Sequence, residues 1–187
     1  SVSGNDNIGV GDLALASMSS GDANVGVGLQ AGRYISTGDY NIAIGRYALL
    51  SNTTGNGSIA IGDSALYSGN NSYSTVIGYQ SCASGIFSGS ATALGAWSLN
   101  ANTSGVLNVA LGYSALQYNT TGSRNTAVGT MALRYNQAGA SSTNYDYASG
   151  LGYDSRVSGN NQVQLGASTT STYAYGAVQN RSDLRDK

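Results

Sequence analysis

The residues that could carry chemistry in this chain are few, and most of them are aspartates. All nine acidic residues are Asp, there is no histidine, and Lys187 is the only lysine. Without His or Glu, most acid–base and metal-binding arrangements are excluded, and neither a metal site nor a cofactor is predicted. Asp22 and Asp39 lie 17 residues apart. Stacked strands would bring their carboxylates to about 4.8 Å, near the separation that retaining glycosidases use, but turn-capping side chains are the favoured interpretation.

Charge and hydropathy exclude several classes of partner. Charged residues make up 9% of the chain and the net charge is -1, which argues against nucleic acid and against a polybasic contact with a membrane. No apolar run approaches the length of a membrane helix and no signal peptide begins at Ser1. We therefore expect no membrane insertion, and expect the chain to be part of a longer protein. The one cysteine, Cys82, occupies a position that is usually Leu and is predicted to be a small buried hydrophobe.

A short motif repeats along the chain, as in NIAIGRYAL at 41–49, SIAIGDSAL at 58–66 and NVALGYSAL at 108–116. The glycine that follows the last Ile, Val or Leu of each motif serves as an anchor. The anchors of eight repeats are Gly11, Gly28, Gly45, Gly62, Gly78, Gly95, Gly112 and Gly129. Successive anchors are 17 residues apart, with one step of 16, and Gly152 and Gly166 follow at steps of 23 and 14. This period predicts an all-β fold, a parallel β-roll or β-solenoid with coils of about 17 residues.

The positions before the anchor alternate in size and thereby predict a short strand. The residues three and one before it are mostly Ile, Val, Leu or Thr, and the residue between them is small, as in Ile42, Ala43 and Ile44. We expect the β-branched side chains to point into the coil and to stack between coils. Glycines are expected in the turns, where positive φ costs them little. At the position four residues before the anchor, asparagine recurs, and the side-chain amides of successive coils could bond to one another as a ladder. These residues are Asn7, Asn24, Asn41, Asn108 and Asn125.

The small residues two before each anchor, such as Ala43 and Ala60, form a column along the stack, here called the small column. This column predicts contact with a second chain. A coil this thin buries about four apolar side chains against about 1–2 kcal/mol of backbone entropy per ordered residue, so it should bury a second surface as well. Glycine or alanine facing outward would let another backbone approach closely. We therefore expect the small column to face an identical chain, so that the folded unit is an oligomer.

The motifs NIAIG, SIAIG and NVALG resemble the repeat of trimeric autotransporter adhesin heads, the YadA-like left-handed parallel β-roll. The resemblance extends over residues 4–135 and more weakly over 148–166. It implies a left-handed roll, a homotrimer packed about a common axis, and adhesion to a surface as the task. The chain departs from those heads in its longer period, so the outer half of each coil is expected to be wider.

The C-terminal stretch RSDLRDK, residues 181–187, resembles the opening of the endosialidase-type intramolecular chaperone that closes many phage tail fibres and tailspikes. That domain helps three chains to assemble and is then released by self-cleavage. The resemblance implies cleavage between Ser182 and Asp183, with Lys187 in the position of the family's lysine. An amine with a depressed pKa could activate the serine hydroxyl. Because the remainder of the chaperone is absent from the sequence, we expect residues 183–187 to stay uncut here.

The step of 23 between Gly129 and Gly152 indicates about six extra residues that must leave the roll. This insertion, QAGASSTNYDYASG, carries Tyr145, Asp146 and Tyr147, and long loops on rigid scaffolds are where binding residues gather. Two aromatic faces beside a carboxylate suit a sugar, so these three are the predicted receptor-binding residues. The alternative is that both tyrosines cover the end of the roll. A further row of tyrosines, on the expected outer side of the coil, either binds a partner or packs between coils: Tyr34, Tyr67, Tyr118 and Tyr135.

These patterns predict three regions: a repetitive β-roll at 1–135, irregular terminal coils with the insertion at 136–178, and the start of a cleavable chaperone segment at 179–187. The two resemblances imply a structural and receptor-binding part of a bacteriophage tail fibre. Its place would be the virion and its partner a glycan or outer-membrane protein of the host bacterium. The alternatives are the head of a trimeric autotransporter at the bacterial cell surface and a polysaccharide-degrading tailspike. The mature protein is expected not to be an enzyme.

Overall fold

The computed structural model describes residues 4–85, 90–140, 144–167 and 169, which form one stack of coils. Each coil contributes a three-residue strand to a single parallel sheet whose ten strands are hydrogen-bonded in sequence order. The strands are β1 Ile8–Val10, β2 Val25–Val27, β3 Ile42–Ile44, β4 Ile59–Ile61, β5 Thr75–Ile77, β6 Thr92–Leu94, β7 Val109–Leu111, β8 Thr126–Val128, β9 Ser149–Leu151 and β10 Val163–Leu165. The predicted all-β solenoid is confirmed. The described ranges contain no helix, and so none that is long and apolar enough to cross a membrane.

The register of the sheet follows the register of the sequence motif. Strand Ile42–Ile44 lies opposite Ile59–Ile61, with Ala43 facing Ala60. The N–H of Ile42 donates to the carbonyl of Ser58 in the next coil at 2.8 Å. Like positions therefore stack on like positions, and the backbone groups of each short strand find their partners in the coils on either side.

From β2 to β9 the middle residue of each strand is buried and the residues beside it are more exposed, opposite to the orientation that the sequence pattern suggested. That middle residue is Gly or Ala in all of these strands except β5, where it is Val76. Ala43 and Ala60 are fully buried, at 0% exposure, whereas Ile44 is 38% exposed. The expectations that β-branched side chains fill the coil and that the small column faces a second chain are therefore wrong. The interior is too narrow for bulk from the strand: a Cβ added at Gly26 would lie 2.8 Å from Cγ of Leu15.

The interior of the coil is filled instead by the leucine of each Ala-Leu pair. Buried residues occupy this position in seven coils: Leu15, Leu49, Leu66, Cys82, Leu99, Leu116 and Leu133. The second coil has Gly32 at this position, and the side chain of Ile35 fills the interior instead. Cδ1 of Ile35 lies 2.9 Å from the point that a Cβ atom of Gly32 would occupy. The prediction that Cys82 is a small buried hydrophobe is confirmed, and burial raises the pKa of its thiol well above the ordinary value.

Asparagines form the predicted amide ladder over the first three coils. Nδ2 of Asn24 donates to Oδ1 of Asn7 at 3.1 Å, and Nδ2 of Asn41 donates to Oδ1 of Asn24 at 3.0 Å. The Asn41 amide also donates to the carbonyl of Gly55 in the next coil at 2.8 Å. Leaving such a buried polar group unpaired costs about 1–3 kcal/mol, so the ladder contributes to stability by satisfying groups that no water can reach.

Left-handed backbone recurs after the anchor at two positions that are rarely glycine. Examples are Tyr47 and Leu49, with φ of 58° and 52°. This conformation costs a side-chain-bearing residue about 1–2 kcal/mol. The N–H of Tyr47 donates to the Leu29 carbonyl of the preceding coil at 2.9 Å, and the N–H of Leu49 donates to the Ala65 carbonyl of the following coil at 3.0 Å. The strain is thus offset by amides that bond in both directions along the stack.

Glycine is required where successive coils approach each other most closely. The anchor Gly45 has a φ of 127°, and a Cβ there would lie 2.5 Å from the carbonyl oxygen of Gly62. The prediction of positive φ at the anchor turns is confirmed. Gly38, seven residues before its anchor, does not have a positive φ. Glycine is required there because a Cβ atom would collide with the carbonyl oxygen of Gly55.

Candidate functional site

The column that contains Asp22 and Asp39 caps the turns of successive coils. Oδ1 of Asp22 accepts the N–H of Asn5 at 2.6 Å, and Oδ1 of Asp39 accepts the N–H of Asp22 at 2.8 Å. The turn-capping interpretation is confirmed, because each carboxylate satisfies a backbone amide of the coil before it. Within the part of the chain that the structure describes, no group of three or more His, Cys, Asp or Glu side chains could hold a metal ion.

The three predicted receptor-binding residues lie close together, but each has a structural contact. Tyr145 is half-buried and packs against the hydrophobic core. Oδ1 of Asp146 accepts the N–H of Ser123 at 2.7 Å, so Asp146 belongs to the turn-capping column. Tyr147 is 52% exposed, and the guanidinium carbon of Arg124 lies 5.3 Å from its ring centroid. Of the three, Tyr147 is therefore the one most open to a ligand, and a receptor-binding role for them remains a prediction.

The insertion lies before these residues and not around them. From residue 144 to Gly152 the chain follows the regular positions of a coil, so the six extra residues fall at 138–143. At the start of this segment the N–H of Ala140 donates to Oδ1 of Asn136 at 2.9 Å, and the N–H of Gly139 donates to the Asn136 carbonyl, also at 2.9 Å. Residues 141–143 lie outside the described ranges, as do Ser182, Asp183 and Lys187 of the predicted cleavage site.

The predicted row of tyrosines divides into packed and exposed members. Nη2 of Arg134 donates to the hydroxyl of Tyr118 at 3.2 Å, and this hydrogen bond lowers the pKa of that phenol. The Arg134 guanidinium carbon lies 5.3 and 5.0 Å from the ring centroids of Tyr118 and Tyr135. By contrast, Tyr34 and Tyr67 are 41% and 37% exposed. Packing between coils thus accounts for Tyr118 and Tyr135. Tyr67 also meets the ring of Tyr47 edge to face at 6.3 Å, so Tyr34 is the member most open to a partner.

A small cavity of about 190 Å³ opens beside the last described coils, lined by Gln137, Asp154, Arg156, Gln164 and Ala167. Its two charged residues are paired with each other, since Nη2 of Arg156 lies 2.8 Å from Oδ2 of Asp154 and Nε lies 3.0 Å from Oδ1. This hydrogen bonding raises the pKa of Arg156. The cavity therefore presents mainly amide groups, and its ion pair is already satisfied.

The outer face of the sheet is the largest feature that the sequence pattern did not predict. The large residues three and one before each anchor stand in two rows along this face. Those more than a third exposed are Ile8, Val10, Ile44, Leu94, Val128, Leu151, Val163 and Leu165. Aligned apolar exposure on this scale marks a contact surface, whereas scattered exposed apolar residues need no explanation. The rows of large residues are visible in the sequence, but their alternation with small residues does not show which of the two faces solvent.

The polar groups of the described surface are largely occupied by contacts within the chain. Asp22, Asp39 and Asp146 accept backbone amides, while Asp63 and Asp154 pair with arginines. What the coils offer to a partner is therefore an apolar sheet face together with exposed aromatic rings and amides, which suit association and recognition. Comparison of the chain with protein-family models, with curated proteins and with solved structures finds no match in any of the three.

Proposed function

We propose that this chain is a structural and receptor-binding segment of a bacteriophage tail fibre, which attaches to the host bacterial surface as a homotrimer of left-handed β-rolls. The observation that carries the proposal is the outer sheet face, with exposed apolar side chains from Ile8 to Leu165. A face that extends over ten stacked strands needs an equally long partner, and an identical chain has one. In a trimer whose axis runs parallel to the stack, each chain would cover the outer sheet face of a neighbouring chain.

The remaining surface supports attachment as the task. A stack held by hydrogen bonds between all neighbouring coils is a rigid rod, and exposed rings such as those of Tyr34 and Tyr147 project from it. Rigid scaffolds that present aromatic and amide groups lose little entropy on binding. Tyr145, Asp146 and Tyr147 remain the proposed receptor contacts of the loop region, with Tyr147 the most accessible.

The C-terminal motif favours a fibre over the head of a trimeric autotransporter. RSDLRDK resembles a chaperone opening that belongs to phage fibres and tailspikes. In the full-length precursor we expect cleavage between Ser182 and Asp183, assisted by Lys187. Ser182→Ala or Lys187→Ala should each leave one longer band on a denaturing gel. Normal processing in both variants would contradict the assignment.

Competition for host cells tests the proposed function directly. The labelled chain should bind the bacteria that its phage infects, and an excess should reduce adsorption of that phage. A variant with its core disrupted, Ala60→Phe, is the control for binding by unfolded protein. If the folded chain neither binds the cells nor competes with the phage, attachment is not its function.

A further inference from the structure

Three aromatic rings stand in contact on the consecutive coils of β5, β6 and β7. The ring centroids of Tyr79 and Trp97 are 5.7 Å apart, and those of Trp97 and Tyr113 are 5.4 Å apart. Both pairs meet edge to face, at 82° and 77°. Such contacts contribute about 0.5–1.5 kcal/mol each beyond burial, so they hold the rings in place. Tyr79 and Tyr113 are nevertheless 45% and 43% exposed, and Trp97 is half-buried.

Polar groups with unused hydrogen-bonding capacity adjoin the rings. Nε1 of Trp97 donates to Oε1 of Gln80 at 3.1 Å, which fixes the indole, and Nδ2 of Asn100 donates to the Gln80 carbonyl at 2.8 Å. Nε2 of Gln80 and Oδ1 of Asn100 have no partner among the described residues. One donor and one acceptor are thus left beside the aromatic surface.

The surroundings of the rings carry no unpaired charge on the preceding coil. Asp63 occupies the position of Tyr79 in the preceding coil. Its Oδ2 lies 2.7 Å from Nη2 of Arg46. An uncharged ligand would therefore meet no isolated carboxylate or guanidinium there. A charged ligand would have to compete for a group that is already paired.

We infer that Tyr79, Trp97 and Tyr113 form a platform that binds an uncharged glycan, with Gln80 and Asn100 as its hydroxyl partners. The inference rests on the proposed function, since it names a ligand class for host attachment. The flat face of a sugar ring presents C–H groups that carry slight positive charge, and the face of an aromatic ring is negative. Sugar hydroxyls both donate and accept, which matches the free amide groups. Three rings over three coils suit a short oligosaccharide.

The alternative occupants fit these observations less well. Anchor side chains of a protein partner fill desolvated pockets, whereas Tyr79 and Tyr113 are nearly half-exposed. A second copy of this chain would find the apolar rows of the sheet face available, without needing the half-exposed rings. Exposed rings with free amides beside them suit a ligand that has both apolar C–H groups and hydroxyls, as a sugar does.

Fluorescence provides the first test, because Trp97 is the only tryptophan. The native assembly would be titrated with uncharged oligosaccharides that contain glucose, galactose or N-acetylglucosamine, up to about 10 mM. At least one should change the Trp97 emission in a saturable way, and acrylamide should quench the emission of the free protein. The platform is refuted if no oligosaccharide alters the emission, or if the assembly shields Trp97 from acrylamide.

Variants assign the binding to the platform. Tyr79→Ala with Tyr113→Ala keeps the reporter and should weaken binding about tenfold or more, as loss of anchor rings does. The control is Tyr73→Ala, which removes a ring that is 69% exposed but has no contact with the platform rings, at a position that Ala23 occupies in another coil. Equal weakening by both changes, or by neither, would overturn the inference.

Adsorption to host cells separates this inference from the proposed function. Trp97→Ser is tolerated by the coil, because Ser64 and Ser114 stand at the same position with the same φ of 55°. We expect this variant to adsorb at least about tenfold less than the Tyr73→Ala control. If the parent adsorbs and Trp97→Ser adsorbs equally, the platform fails and attachment stands. If the parent itself does not adsorb, the proposed function fails.

Discussion

The inner and outer positions of most of the short strands carry opposite kinds of side chain. Inside, Ala43 and Ala60 are fully buried although they are small; outside, Ile44 and Ile8 are 38% and 56% exposed although they are large. A folded chain that placed its apolar bulk only for its own core would do the reverse. The interior of the coil therefore requires small side chains from the strand, and the large apolar side chains of the strand are placed for contact with another chain.

The two faces also contribute to stability in different ways. The inner face stabilises the coil through the leucine column and the asparagine ladder, which are complete within one chain. The outer rows contribute little until they are covered. Burying a Val, Leu or Ile side chain fully stabilises a protein by about 1.5–3 kcal/mol. The half-exposed rows therefore contribute much less to stability in a single chain than they would if they were buried. Association of identical chains would bury these side chains and so add this stabilisation.

The largest expected effect comes from adding bulk to the inner face. Ala43→Phe should destabilise the coil by about 3 kcal/mol or more, because the interior cannot expand around a ring. The comparison on the outer face is Ile42→Thr, which should cost less than Ala43→Phe even where identical chains cover that face, since Thr75 and Thr92 already occupy that position. Urea unfolding followed by circular dichroism measures both. An outer-face change as costly as the inner one would reverse the assignment of the faces.

An intermediate effect is expected from the asparagine ladder. Asn41→Ala should lower the free energy of unfolding by about 2 kcal/mol, because the partners of the buried amide lose their hydrogen bonds. Asn41→Ser should cost less, since Ser58 occupies this position in the next coil and its hydroxyl donates to the Asn71 carbonyl at 3.0 Å. Equal stability of the parent and Asn41→Ala in urea would show that the ladder contributes nothing.

The smallest effect should come from the exposed ion pair on the outer turns. The Ser64 hydroxyl, and then Arg46, hold the pKa of Asp63 below its ordinary value. Because the folded-state pKa is depressed, the stabilisation is present above the unfolded-state pKa and disappears as the pH falls through the folded-state value. Asp63→Asn should therefore lower the melting temperature slightly at pH 7 and not at all in strong acid. A difference that grows on acidification would contradict this sign.

The period and the features that depend on it could be predicted from the sequence. The strand positions, the Asn7–Asn24–Asn41 ladder and the burial of Cys82 follow once like residues are aligned in columns. Alignment fixes which residues stack, and stacking fixes those contacts. The direction of the strand faces did not follow, because alternation of large and small residues is the same whichever face points inward. Leucines on the other side of the coil decide it by filling the interior.

Two further features needed information from outside the local pattern. The left-handed φ of Tyr47 and Leu49 contradicts the preference of both residue types, and only hydrogen bonds between coils explain it. The placement of the insertion was recoverable: Asp146 stands six before its anchor, as Asp22 and Asp39 do, which assigns it to the regular coil. The rings of the proposed platform occupy neighbouring columns on three coils, a juxtaposition that becomes evident only in the stack.

The proposed homotrimer requires that identical chains cover the outer sheet face. Sedimentation equilibrium of the native protein, compared with a variant carrying Ile44→Lys and Ile61→Lys, tests this directly. We expect three times the mass of one chain for the parent. The variant should sediment as a single chain with an unchanged β-sheet circular dichroism spectrum, because charges on the outer rows oppose association but do not enter the coil. A native protein with the mass of one chain would contradict the homotrimer.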